Sequence, residues 1–383
     1  MKKLLLVILS LLLIVGCGKE EPEEVVQEEI ESEQQGESVE IDDAYEAPMV
    51  ENISIKISAT GDVTLGNYDG QGFDGSFNET FENNNKDYSY FFQNVRSIFE
   101  QDDFTIVNLE GVLTTSEDKA PGRSFNIKGD PSYKQILIDG DVEAVAMDNN
   151  HRRDWGQQGI TDTVNTLESI NMPYAYEDNL GYYEVSGIKI GWVSVNPASF
   201  GAEVEHFAID GIKKLQGEGV DLILACCHWG IEREHYPTGY QKELARKCID
   251  AGADLVIGHH PHVLQGIEEY NGKLILYSLG NFCFGANKNP ADKDTMIFQQ
   301  TFHFEKTTMS NGDVTVEQLE ETEANIIPCM ISSTSSRNDY CPTPQTGDKG
   351  QSIIDRVNTY SKDFGVQADE NGELQWTKEN VSE

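Results

Sequence analysis

The sequence predicts an α/β fold whose functional groups gather along one rim of a sheet. Short apolar runs of strand length recur along the chain, most of them separated by segments of helical period. Those runs keep ending in Asp, Asn, Glu or His. In α/β sheets the site lies beyond the carboxyl ends of the strands, so residues far apart in sequence can meet there.

Taken in order, residues 52–58 (NISIKIS) alternate Ile53, Ile55 and Ile57 with polar residues, the pattern of a half-buried strand, and run into Ala59-Thr60-Gly61-Asp62. The stretch to Tyr88, rich in Gly, Asn and Asp, reads as a long loop. Phe91, Phe92, Val95, Ile98 and Phe99 recur at helical spacing. FTIVNLEG is a second strand, ending at Asn108 and Glu110. VEAVAM is a third, ending in Asp148-Asn149-Asn150-His151 with Asp154-Trp155-Gly156 beyond. Residues 159–170 form a helix with Val164, Leu167 and Ile170 on one face. IKIGWVSVN ends at Asn196 and VDLILACCH at His228, and residues 242–249 are helical. In DLVIGHHPH, Leu255, Val256 and Ile257 read as a buried strand broken by Gly258. His260 and His262, two apart, can then leave an extended backbone on one side. KLILYSLGNF predicts a further strand ending at Asn281. Residues 314–319 are strand-like, residues 353–364 helical, and residues 366–383 a polar tail.

At 383 residues the chain is long enough for two or three domains or one large α/β domain. Its net charge of -38 argues against nucleic acid, whose phosphates would be repelled. Lys2 and Lys3 precede an apolar run at 4–15 that is too short to span a bilayer. Ile14-Val15-Gly16-Cys17 follows and resembles a bacterial lipobox. Residues 1–17 are therefore expected to be a lipoprotein signal peptide with Cys17 the lipidated residue, which anchors the mature chain to the outer side of the cytoplasmic membrane. Residues 18–51 are dominated by Glu with almost no aromatics, the composition of a disordered stalk, and leave 52–365 as the folded domain. Six cysteines remain beside Cys17, none in a C-x-x-C spacing. Cys226 and Cys227 sit in a strand-like run and are expected to be buried. Cys329 and Cys341 flank a polar loop and could form a disulfide; the sequence leaves open whether they do.

Gly61-Asp62, Asn108-Leu109-Glu110-Gly111, Asn149-Asn150-His151 with Asp154 and Gly156, and His228-Trp229-Gly230 with Glu232 carry a resemblance to a known family. Gly258-His259-His260-Pro261-His262 and Ser278-Leu279-Gly280-Asn281-Phe282 continue it in the family's order. Over residues 53–364 the chain resembles the CapA-type poly-γ-glutamate capsule synthesis family, which is similar in fold to the calcineurin-like metallophosphoesterases. The resemblance implies a four-layer α/β/β/α sandwich. It implies Asp62, Glu110, Asn150, His228, His260 and His262 as metal ligands, with Glu110 bridging two ions, and His151 as general acid. Asp154 would orient His151 or cap a helix, and His151 could itself be a supporting residue. Trp229 and Glu232 would hold loops or, with Asn281, line a substrate cleft. In the phosphoesterase pattern the first strand carries Asp-x-His, whereas Thr64 stands in the third position here.

Carboxylate, amide and imidazole donors favour Mn, Fe or Zn, one ion or two. A pair could activate a water and clamp a phosphate-like group, and an imidazole could protonate the departing oxygen near neutral pH. A metal-dependent hydrolase acting on an envelope polymer such as poly-γ-glutamate is expected. The alternative is a non-catalytic accessory lipoprotein for synthesis or export of an anionic polymer, working with membrane-embedded synthesis proteins.

Overall fold

The computed structural model describes residues 47–376. The expected signal peptide, the lipidation site Cys17 and the acidic stretch up to residue 46 lie outside the described residues, as do residues 377–383. The first part of the supposed polar tail is instead a hairpin, Val366–Ala368 with Leu374–Trp376, because Val366, Ala368 and Leu374 are buried in the core between the sheets. Strand β1 (Met49–Thr64) begins earlier than its apolar alternation suggests. Met49, Val50 and Glu51, grouped by composition with the stalk, already pair with Thr308, Thr307 and Lys306.

The next strands of the first sheet are β2 (Phe104–Leu109), β3 (Ala144–Ala146) and β4 (Tyr174–Ala175). The second sheet contains β5 (Gly181–Val185), β6 (Ile188–Val195), β7 (Leu222–His228), β8 (Leu255–His259), β9 (Ile267–Tyr270) and β10 (Lys273–Leu276). Then β11 (Asn281–Phe284), β12 (Asp294–Thr308), β13 (Val314–Met330) and β14 (Thr343–Pro344) return to the first sheet. The first sheet runs β14-β13-β12-β1-β2-β3-β4, with β11 alongside the end of β1, and the second β9-β10-β8-β7-β6-β5. In each, the central strands are parallel and end at one edge, where ligand sites form.

Strand parity divides the core into three layers. Ile55, Ile57, Phe104 and Ile106 of the first sheet meet Ile190, Trp192, Leu224, Cys226, Leu255 and Ile257 of the second in one apolar cluster. Fully burying a side chain of this size contributes about 1.5–3 kcal/mol. The alternate residues face outward. Val107 and Leu109 pack with Leu167 of α1 (Gly156–Glu168) and with Phe91, Phe92 and Leu137. Ile223, Ala225 and Cys227 pack under α2 (Glu205–Gly217) and α3 (Gly239–Asp250), whose start is fixed by a reciprocal cap between Thr238 and Gln241. Helix, sheet, sheet and helix therefore stack in the four layers expected.

Two local expectations change and one open question closes. The supposed loop before Tyr88 contains a helix, Phe77–Asn83, because Phe77 and Phe81 bury one face of it. KLILYSLGNF is not one strand: it leaves the second sheet after Leu276 and enters the first at Asn281, crossing through residues 277–280. Cys329 and Cys341 are free thiols, as are the other four described cysteines. Cys341 Sγ instead lies 3.3 Å from Asn94 Nδ2 and from the Tyr90 carbonyl. Cys226 and Cys227 are buried as expected.

Candidate metal centre

The first carboxylate reaches the centre through an irregularity in β1. Ala59 pairs with Ile106 but Asp62 with Asn108, so β1 carries one extra residue between them. Such a bulge reverses which face the following side chains occupy. Without it Asp62 would point away from the inner face that Ile55, Ile57 and Ala59 occupy. Gly61 lets the next segment pass: a Cβ there would sit 2.3 Å from the Gly280 carbonyl oxygen. That same carbonyl accepts the Asp62 N–H at 2.9 Å.

Asn108, on the inner face at the end of β2, donates from Nδ2 to Asp62 Oδ1 at 2.8 Å and lies 3.3 Å from His228 Nδ1. Glu110 follows two residues on, fully buried, and neither of its carboxylate oxygens has a hydrogen-bond partner among the described residues. Its Oε1 stands 3.7 Å from both His262 Nε2 and His151 Nε2. Beyond β3, Asn149 ties the strand ends together, donating to the Leu109 carbonyl and accepting the His151 N–H. The side chains that follow are thereby turned towards Glu110. Asn150 Oδ1 lies 2.8 Å from His228 Nε2. His151 Nδ1 lies 2.6 Å from Asp154 Oδ2, which also accepts the Ile127 N–H, while Arg123 pairs with Asp154 Oδ1 at 3.1 Å.

In β7 and β8 the parity of the core continues into the site. Leu224 and Cys226 face inward and so does His228; Ala225, Cys227 and Trp229 face the helices. In β8, His259 continues the inward set and its Nε2 lies 3.0 Å from the Thr60 carbonyl. Gly258 does not break this strand but lies within it, in parallel register with Cys227. The His260-Pro261-His262 segment is not extended. His260 has φ 97° and His262 φ 58°, both in the left-handed region that side chains other than Gly rarely adopt. That turn brings His260 Nδ1 to 3.1 Å from His228 Nε2 and His262 Nδ1 to 3.1 Å from Asp62 Oδ2. Strained backbone of this kind persists where the surroundings hold it. Here Asn281 does so, 3.0 Å from His262 Nδ1 through Oδ1 and donating to the His262 carbonyl through Nδ2.

Burial opposes charge throughout. It pushes Glu110 up to about 7. It holds His228 well below the usual imidazole range and, with the His262 charge, takes His260 down to about 4. His262 moves the other way: against its burial, Glu110 and the bonded Asp62 carboxylate raise it to about 9. Burial would likewise raise Asp62, but His262 and His259 leave it below the ordinary carboxylate value. Neutral imidazoles at 228 and 260 present lone pairs ready for a cation, while His262 must give up a proton to do so. A buried carboxylate with two unpartnered oxygens is costly unless a cation answers it, and the donor set fits one.

All six side chains expected to converge do so. Ligand atoms of Asp62, Glu110 and His262 lie within 4.8 Å of one another, as do those of Glu232, His260 and His262. His151 and Asp154 form a pair at the edge of this group. Trp229 is not part of a cleft: it is fully buried beneath α3, with Nε1 donating to the Tyr277 carbonyl at 2.9 Å. Asn281 buttresses His262 and is buried rather than cleft-lining. Thr64 is buried, and its hydroxyl has no hydrogen-bond partner among the described residues. Asn108 and Arg123 were not among the predicted site residues. Asn108 shares strand parity with Glu110 and was findable; nothing in the sequence joins Arg123 to Asp154.

Two facing sheets with carboxylate, amide and imidazole groups meeting at one rim define a metallophosphoesterase-like α/β sandwich. The model of the family described as "Bacterial capsule synthesis protein PGA_cap" matches residues 56–286. The chain belongs to that family. It is 29% identical to the "PGA biosynthesis protein CapA" of Bacillus subtilis over 72% of this chain and 75% of that one. It is 26% identical to the "Capsule biosynthesis protein CapA" of Bacillus anthracis, over 51% of this chain and 54% of that one. A "Probable polyglutamine synthesis accessory protein" of Mycobacterium tuberculosis matches at 26% identity over 47% and 55%. The chain thus spans about half the length of the last two.

Proposed function

We propose that this protein is a metal-dependent hydrolase, held by a lipid on Cys17 at the outer face of the cytoplasmic membrane, that acts on an envelope polymer of the poly-γ-glutamate type. The observation that carries the reading is Glu110, buried between two imidazoles with both oxygens unpartnered, amid donors from the ends of both sheets. Asp62, Glu110 and His262 would hold one divalent ion, and Asn150, His228 and His260, with Glu110, a second; Mn, Fe or Zn suits these donors. Bound there, the ions supply Lewis-acid activation of water and of the scissile group.

The chain's own residues account for orientation and proton transfer. His151 turns Nε2 towards Glu110 and Nδ1 to Asp154, so its ring is fixed with one nitrogen free to protonate a departing oxygen or nitrogen. Asp154, pinned by Ile127 N–H and Arg123, keeps that orientation. The names of the capsule and PGA biosynthesis relatives support the substrate class. The test is an assay of the full chain, in detergent with Mn²⁺, against generic phosphodiesters and γ-glutamyl peptides. Hydrolysis of one class that is abolished in His260→Ala is expected; a His260→Ala protein as active as the parent contradicts it.

Thr64, where the phosphoesterase pattern has a ligand histidine, favours the second reading, a non-catalytic accessory to synthesis or export of an anionic polymer. At a net charge of -38 the protein should repel such a polymer except where bound cations invert the local field. Pull-down of polyglutamate with and without metal, alongside an absence of hydrolysis, would favour it.

A further inference from the structure

The loop that leaves β7 carries a carboxylate over the histidine turn. Glu232 is exposed, yet a carboxylate oxygen of Glu232 and ring nitrogens of His260 and His262 lie within 4.8 Å of one another. Its position is set from both sides. Arg233 N–H donates to the Pro261 carbonyl at 2.8 Å, which ties the loop to the residue between the two histidines. Gln265 Nε2 donates to the Glu234 carbonyl at 2.7 Å, and the His235 ring stacks on Tyr360 at 5.0 Å. Beneath this face lies the buried Glu110 carboxylate, 3.7 Å from His262 Nε2, with neither oxygen hydrogen-bonded among the described residues.

We propose that Glu232 is itself a metal ligand, reaching from the solvent side the ions that His260 and His262 would hold. The inference rests on the reading of this centre as a divalent-cation site. A third carboxylate, beside Asp62 and Glu110, makes the set richer in oxygen and more suited to Mn²⁺ than a histidine in that place would. The ligand comes from an exposed loop, so its removal leaves the buried groups in place.

The test is calorimetric titration of the chelator-treated full chain, in detergent, with Mn²⁺ alone. In Glu232→Gln the weaker-held ion is expected to bind roughly tenfold less tightly or to be lost from the stoichiometry. Glu234→Gln, which removes the same charge two residues along the same exposed loop, is expected to bind within about twofold of the parent. Glu232→Gln binding like the parent overturns the assignment. So does an equal loss in both variants, which would mean a field effect and not ligation. A parent that binds no Mn²⁺ overturns the reading of the whole centre, and is told apart because the loss is then not specific to the variant.

Discussion

Replacing Asp154 by Asn exchanges one oxygen for an amino group at a position where every neighbour is a donor. Oδ2 takes the Ile127 N–H at 2.7 Å and faces His151 Nδ1 at 2.6 Å, and Oδ1 faces the Arg123 guanidinium at 3.1 Å. With the amide oxygen kept towards Ile127 and His151, the new NH₂ meets Arg123. Turned over, it meets the Ile127 N–H. Either way the new NH₂ meets a donor: in one orientation the Ile127 N–H, inside the protein since Asp154 is fully buried, and in the other a guanidinium whose side chain is 33% exposed. Leaving a buried donor so placed costs about 1–3 kcal/mol, with more where a charge loses its partner. A loss near the upper end should lower the melting temperature by on the order of 5 °C in a protein of this size. Thermal unfolding followed by circular dichroism reads this directly. Because Asp154 is not among the clustered ligand atoms, Mn²⁺ binding should survive while any hydrolysis falls with the misaligned His151. A variant melting within about a degree of the parent would refute the accounting of donors around Asp154.

Gly258→Ala would place a Cβ 2.2 Å from the Tyr277 carbonyl and 2.6 Å from that of Leu276, backbone atoms that cannot swing aside. A destabilisation of about 3 kcal/mol or more is expected, read as a lower urea midpoint, and an unchanged midpoint would contradict the close approach of these strands. Glu143 tests pH dependence away from the metal centre. Burial, with Asp102 and Asp141 nearby, pushes it up to about 7 from an ordinary 4.5, although the Thr105 N–H it accepts pulls the other way. Between those values the folded state holds a proton that the unfolded state has released, so this group makes stability fall as pH rises through that window. Glu143→Gln should narrow the difference in urea midpoint between about pH 5 and about pH 8; an unaltered difference would show that Glu143 does not contribute.

The layers were legible because alternation and helical period are local signals. β2, β6, β7 and α1 fall where apolar pattern puts them, and the polar residues at their ends gather as the strand-end argument requires. What escaped depends on geometry that composition does not encode. The extra residue in β1 that turns Asp62 inward leaves no mark in an Ile-rich alternation that stops at Ile57. The left-handed backbone at His260 and His262 could not be read from residues that favour ordinary conformations, and the Pro between them suggested an extended run. Tyr277 to Gly280 look like strand yet cross between sheets, since an apolar run is buried equally well in passing. Trp229 was legible and misread: its parity with Cys227, opposite to that of His228, already set it on the helix-facing side.

A hydrolase of this kind needs a cation held by Asp62, Glu110, Asn150, His228, His260 and His262. Elemental analysis of the purified full chain, compared with its His228→Ala and Glu110→Gln variants, measures this most directly. The parent should retain a divalent transition metal through purification, and both variants should have lost most of it. A parent without metal even after exposure to Mn, Fe and Zn, or variants that keep the parent's content, would contradict the account.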